Sequence, residues 1–95
     1  IFPEALESAD EFARFAKAVP CPLLANMTEF GKGKLFDVKT LGDLGYTMIL
    51  FPLTAFRVAM KAAEDTLAEL FRAGTQAGLL PRMMTRAELY DLLGY

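Results

Sequence analysis

Tyr46-Thr47-Met48-Ile49-Leu50-Phe51, set between Gly45 and Pro52, is the stretch that decides the fold. The run is almost wholly apolar and partly β-branched, and it lacks the polar alternation of a half-wet strand. It predicts a strand buried on both faces, as in a parallel sheet. Beyond Pro52 the longest periodic segment covers 54–73, where Phe56, Ala59, Met60, Ala63, Leu67, Leu70 and Phe71 fall in one stripe. Gly74 ends it, and Lys61 and Asp65 pair at i, i+4 on the wet side. A buried strand feeding a long amphipathic helix is one βα unit.

The same alternation extends in both directions. Before the strand, a short helix is expected over 38–44 with Gly45 as its C′ residue. Upstream of a loop holding Gly31 and Gly33, Leu23-Leu24-Ala25-Asn26 reads as a second, short apolar strand. Ser8 and Glu11 form a capping box that opens a helix over 8–19, with Phe12, Phe15, Ala16 and Val19 on one face. Pro20 and Pro22 close that helix. The opening Ile1-Phe2-Pro3-Glu4 shows no initiator methionine and no signal-peptide pattern. It reads as the end of a third buried strand running into a loop, and hence as a fragment of a longer protein cut inside an element. Thr85-Arg86-Ala87-Glu88 is a second capping box, starting a last helix over 85–93.

Strand end, helix, strand, helix, strand, long helix and terminal helix make an α/β chain with a parallel sheet. Part of a (β/α)₈ TIM barrel and part of a doubly wound sheet fit this order equally well. Residues 1–95 form a portion of one domain, with no linker or low-complexity tract between them. Bare sheet edges make such a piece depend on the rest of its sheet.

Composition narrows the function. The chain has 95 residues, 54% of them hydrophobic and 23% charged, which suits a packed interior and excludes a disordered tail. Ten basic against twelve acidic residues leave a net charge of −2, with no surplus to hold nucleic acid. No apolar run is long enough to span a bilayer, so no membrane partner is expected. One cysteine and no histidine exclude a disulfide framework, a Cys/His zinc cluster and a histidine-dependent triad within the chain.

In both parallel architectures chemistry sits at the carboxyl ends of the strands. That rule selects Glu4, then Asn26, Thr28 and Glu29, then Pro52, Thr54 and Arg57. Arg57 lies in the first turn of its helix, where the macrodipole disfavours a cation by about 0.3–1 kcal/mol. Arg86 repeats the arrangement in the last helix. Either each arginine is solvated or paired with a nearby acid, or it joins free backbone N–H groups in an anion site. Glu4 is either a functional carboxylate or an acid favoured by the helix dipole. Asn26 and Thr28 either orient ligand oxygens or end the strand in an ordinary turn.

Other features carry less. Gly31-Lys32-Gly33-Lys34 lacks the spacing of a phosphate-binding loop and is expected as a mobile loop. Cys21, between two prolines, has little nearby to activate it. The scattered methionines are expected to fill space.

Four blocks in register carry a resemblance. These are Ile1-Phe2-Pro3-Glu4-Ala5, Leu24-Ala25-Asn26-Met27-Thr28-Glu29-Phe30-Gly31, Phe51-Pro52-Leu53-Thr54-Ala55-Phe56-Arg57 and Met84-Thr85-Arg86-Ala87-Glu88-Leu89-Tyr90, with Gly74-Thr75-Gln76 between the last two. Together they resemble the isocitrate lyase and phosphoenolpyruvate mutase superfamily, and within it the 2-methylisocitrate lyases. The resemblance implies the last three βα units or so of a (β/α)₈ barrel, with the terminal helix swapped between subunits of a homotetramer. It implies a cytoplasmic lyase that cleaves 2-methylisocitrate, a small tricarboxylate, to pyruvate and succinate with Mg²⁺ as Lewis acid. Glu4, Asn26, Met27, Thr28, Arg57 and Arg86 match substrate-contacting positions of the family. Its metal ligands and acid–base cysteine have no counterpart here and are expected upstream of residue 1; Cys21 does not align with that cysteine. This piece alone is therefore expected to be inactive. The alternatives are another superfamily member, such as an isocitrate lyase, a phosphonopyruvate-type enzyme or an oxaloacetate decarboxylase, or a non-catalytic truncated module.

Overall fold

The computed structural model describes all of residues 1–95. The chain divides into two units, Ile1–Arg57 and Val58–Tyr95, and the division falls inside a continuous helix.

In the first unit the elements are α1 (Ala9–Ala18), β1 (Leu24–Asn26), α2 (Val38–Asp43) and β2 (Met48–Leu50), followed by the first turn of α3 (Thr54–Ala73). The capping box of α1 forms as the sequence requires. Glu11 N–H donates to Ser8 Oγ, and Ser8 N–H donates to the Glu11 carboxylate. Asp37 caps α2 by accepting from Thr40 N–H at 2.6 Å, a role the sequence reading had not assigned. Gly45 follows with φ +101°, a conformation that suits a residue without Cβ.

The two strands pair in parallel, with Leu24 opposite Met48, Ala25 opposite Ile49 and Asn26 opposite Leu50. The Leu23 carbonyl accepts from the backbone N–H groups of Thr47 and Met48, and the Leu50 carbonyl accepts from Met27 N–H at 2.8 Å. This register sets Asn26 and Leu50 side by side, so the loops that leave both strands start from one edge of the sheet.

Phe12, Leu23, Ala25, Met27, Leu41 and Tyr46 form the buried core, with Phe15, Ala16, Val19 and Ile49 packed against it. The face predicted for α1 is the face that packs. Phe12 meets Tyr46 and Phe36 with ring centroids 5.2 and 5.7 Å apart. Tyr46 donates its hydroxyl to the Phe12 carbonyl at 3.2 Å, and burial raises the phenol's pKa. Leu23 and Leu41 are fully buried; truncating either to alanine should cost about 2–5 kcal/mol.

Two expectations are corrected. The sheet has two strands, not three. Leu24 N–H does bond to the Ile1 carbonyl at 2.9 Å, and the Ile1 nitrogen donates to the Pro22 carbonyl at 2.7 Å. Pro3 has no N–H to continue a ladder, so the pairing ends after these two bonds. β2 is also not buried on both faces. Met48 and Leu50 are 55% and 45% exposed, and only Ile49 reaches the core.

The second unit holds the rest of α3, a 3₁₀ helix over Ala77–Arg82 and α4 (Arg86–Leu93). α3 occupies the span read from the sequence and ends at Gly74 with φ +65°. Its apolar stripe is nevertheless open: Phe56, Met60, Leu67 and Phe71 are all exposed. Lys61 meets Asp65 at 3.0 Å, as the spacing implied, and also Glu64 at 2.8 Å. The 3₁₀ helix has no sequence prediction behind it, because six residues around Pro81 are too short to show a period. The second capping box is complete, with Glu88 N–H donating to Thr85 Oγ1 and Thr85 N–H donating to Glu88 Oε2 at 2.7 Å.

Candidate functional site

At the carboxyl end of β1 a cavity of about 240 Å³ opens within the first unit. Glu4, Asn26, Met27 and Thr28 all line it, so four of the six predicted contact residues share one hollow. Lys32 and Lys34 complete the wall. The loop that carries them, expected to be mobile, is tied at two points: Lys34 N–H donates to the Glu7 carbonyl at 3.3 Å, and Gly33 packs directly on the Leu6 carbonyl.

The four residues differ in what they offer. The Glu4 carboxylate is exposed on the cavity wall. The Asn26 side-chain oxygen is buried and takes no hydrogen bond within the protein. A buried acceptor without a donor is costly, and a ligand N–H or O–H would relieve it. Met27 is committed to packing: it is 4% exposed, and its sulfur accepts from Phe36 N–H at 3.4 Å. Thr28 is half-buried at the start of the turn.

Arg57 belongs to a neighbouring cluster built from both strand-end loops. Its Nε lies 3.5 Å from Glu29 Oε2, and its guanidinium carbon stands 5.2 Å from the centre of the Phe30 ring. Glu29 Oε1 accepts a hydrogen bond from the Thr54 hydroxyl. That bond, the glutamate's own backbone N–H and the charge of Arg57 hold the Glu29 carboxyl below its ordinary pKa. Of the alternatives open for this arginine, pairing with a nearby acid is the one observed. The acid also answers the macrodipole objection, because Glu29 supplies negative charge where the helix start repels a cation. Arg86 lies in the second unit, exposed at the start of α4 and in no ion pair.

The N-terminal segment and the loop after β1 each contain a non-glycine residue with positive φ, Ala5 at +56° and Phe30 at +62°. Each follows an acid, Glu4 or Glu29. Left-handed backbone costs such residues about 1–2 kcal/mol and tends to gather at functional sites. Strand-end position selected Glu29 and Thr54, but nothing in the sequence identified Phe30 as the arginine's platform.

No three His, Cys, Asp or Glu side chains come together to hold a metal ion. The residues present do not fit a Mg²⁺ cage.

No protein-family model matches the chain. Individual relatives do match, over its whole length. The chain is 50% identical over 95 residues to a 2-methylisocitrate lyase of Aeropyrum pernix, 45% to one of Bacillus subtilis and 42% to one of Escherichia coli. It spans about a third of their lengths: 31%, 32% and 32%. Among solved structures, it superposes on 2,3-dimethylmalate lyase, a PEP mutase/isocitrate lyase superfamily member, and on oxaloacetate acetylhydrolase. Both superpositions give a TM-score of 0.84 at 26% identity, covering 95% of this chain and 31% of the other. Along all of its residues, therefore, the chain matches 2-methylisocitrate lyases, and its fold is that of a segment of the TIM-barrel PEP mutase/isocitrate lyase superfamily.

Proposed function

We propose that the whole protein cleaves 2-methylisocitrate to pyruvate and succinate, and that this chain supplies part of the surface that holds the substrate's carboxylates. The observation that carries the proposal is the whole-length match to 2-methylisocitrate lyases, at 42–50% identity. It is supported by Glu4, Asn26 and Thr28 opening onto one cavity, beside an arginine at the next strand end. By itself the chain is proposed to be inactive.

In the proposed reaction the substrate hydroxyl loses its proton and its carbon becomes the carbonyl of pyruvate. The bond between that carbon and its neighbour breaks, and the electron pair stays on the neighbour, which after protonation belongs to succinate. The pair is delocalised into the adjacent carboxylate, so a guanidinium on that group binds the transition state more tightly than the ground state. Arg57 is proposed for this kind of contact, and Arg86 for a second carboxylate. Asn26 would align a substrate donor through its unpartnered oxygen, and Glu4 would meet a hydroxyl at the cavity wall. Mg²⁺ belongs to the proposal for the whole protein only, with its ligands outside these 95 residues. A cytoplasmic homotetramer that exchanges its terminal helix is likewise part of the proposal. For location, the structure offers only that no helix is long and apolar enough to cross a membrane.

The test is a substrate panel on the complete protein: 2-methylisocitrate, isocitrate, 2,3-dimethylmalate and oxaloacetate, with products resolved by chromatography. Pyruvate and succinate from 2-methylisocitrate, at the highest kcat/KM of the four, are expected. Preference for any other member overturns the substrate assignment, and inactivity on all four overturns the lyase reading.

A further inference from the structure

Glu29 is the one acid near Arg57, and three features separate it from an ordinary surface partner. It is largely enclosed, with 18% of its side chain exposed against 42% for Arg57. It is fixed independently of the arginine, because the Thr54 hydroxyl donates to Oε1. The oxygen facing Arg57, Oε2, is buried and has no hydrogen bond of its own. A carboxylate anchored at one oxygen, with the other left to face a cation, is built to hold that cation in place.

The geometry on the arginine's side agrees. The ion-pair contact runs through Nε, the nitrogen nearest the stem, at 3.5 Å. The guanidinium lies over the ring of Phe30, a residue at φ +62° that is 90% exposed. With an edge and a face engaged, the outer Nη pair is what remains to grip a carboxylate, and Arg is suited to such two-point contacts. An exposed arginine would otherwise lose side-chain entropy each time it bound a ligand.

We propose that Glu29 is a positioning residue: with Thr54 behind it and Phe30 below, it holds the Arg57 guanidinium so that the Nη edge meets a substrate carboxylate. The proposal rests on Arg57 contacting substrate, as the proposed function has it. Glu29 itself touches neither substrate nor reacting atoms. Its negative charge is what matters, and its anchoring to Thr54 is what makes that charge immobile.

The test uses the complete protein in four forms: wild type, Glu29→Gln, Arg57→Ala and the double variant. Kinetics on 2-methylisocitrate, melting temperature and a crystal structure of Glu29→Gln are measured. Glutamine keeps the volume and removes the charge. The expected result is a loss of about tenfold to a hundredfold in kcat/KM for Glu29→Gln, the upper end being the scale on which misplacing a group by an ångström acts. The loss should divide between kcat and KM as it does for Arg57→Ala, and it should vanish when the arginine is already gone. The melting temperature should fall only by the small share that the charged carboxylate contributes, as it does for wild type in acid, and the Arg57 side chain should leave its place over Phe30 in the crystal. Glu29→Asp, which restores the charge on a shorter stem, should recover part of the activity. Losses that add in full in the double variant would overturn the proposal, as would an Arg57 guanidinium unmoved in Glu29→Gln. If wild type fails to cleave 2-methylisocitrate, the function assignment falls, while the crystal structure still decides whether Glu29 positions Arg57.

Discussion

A β carbon placed on Gly33 would stand 2.7 Å from the carbonyl oxygen of Leu6, closer than any real Cβ comes to such an atom. The glycine therefore marks where the loop after β1 is pressed onto the segment carrying Glu4. The obstructing atom is backbone and has no easy way to retreat. Gly33→Ala should destabilise the complete protein by about 1–3 kcal/mol, as overpacking does elsewhere. It should also raise KM, because Lys32 and Lys34 form the cavity wall on that loop. Gly31→Ala is the control, since its Cβ would meet the Thr28 carbonyl at an ordinary 3.6 Å. Equal urea midpoints for the two variants would show that the close approach has no energetic weight.

Arg57 and Arg86 are the two cations for which the sequence offered both a solvated or paired role and an anion-binding role. In the complete protein, Arg57→Ala should lower kcat/KM by roughly 2–4 kcal/mol, the range for losing a charge-assisted carboxylate contact in a closed site. Arg86→Ala should fall in the same range, provided α4 reaches the substrate in the assembled enzyme. Steady-state kinetics check both, and wild-type constants in either variant would remove that residue from the site.

Helix limits were legible because their signals are local. Ser8 with Glu11, Thr85 with Glu88, and Gly74 after the long stripe each fix an end through atoms within one turn, and the structure places them there. Strand-end position likewise brought Glu4, Asn26 and Thr28 to one cavity. What stayed hidden depends on groups far apart in sequence or on backbone that side-chain type does not announce. The Glu29–Arg57 pair joins residues 28 positions apart by number. A phenylalanine at φ +62° follows no propensity rule, and its use as a platform shows only in three dimensions. Within these 95 residues, a third of the relatives' length, Met48 and Leu50 stay exposed, because an apolar run reports what a strand can be packed against, not what these residues pack against it.

Acid should weaken the protein through three identifiable carboxylates. Glu29 is held below its ordinary 4.5 chiefly by the Thr54 hydroxyl, Asp37 below 3.8 by Thr40 N–H, and Glu88 below 4.5 by its bond with Thr85 N–H. Each binds fewer protons folded than unfolded within that window, so each contribution is complete above the ordinary value and disappears as pH falls through the depressed one. Melting temperature should be level near neutrality and decline below about pH 4.5, the upper of the ordinary values. Asp37→Asn isolates one share: asparagine caps a helix about as well as aspartate but does not titrate. Its melting temperature should match wild type at neutral pH less closely than it does in acid, where both caps are uncharged. Parallel pH profiles would show that Asp37 carries none of the dependence.

Ala5 tests whether strain beside the cavity is retained for a purpose. At φ +56° its Cβ crowds the following backbone, a conformation glycine adopts freely. Ala5→Gly should raise stability by about 1 kcal/mol, since relief of left-handed strain exceeds the added freedom of the unfolded chain. The preceding residue, Glu4, lines the cavity, and its direction depends on that same turn. A more flexible residue next to it should therefore loosen the carboxylate, so kcat/KM should fall while the melting temperature rises. This opposite movement of stability and activity is the signature of strain that serves a site. A variant that gains stability with unchanged kinetics would mean that the Ala5 turn serves only the fold. One that loses stability would mean that its neighbours, and not Cβ crowding, set the conformation.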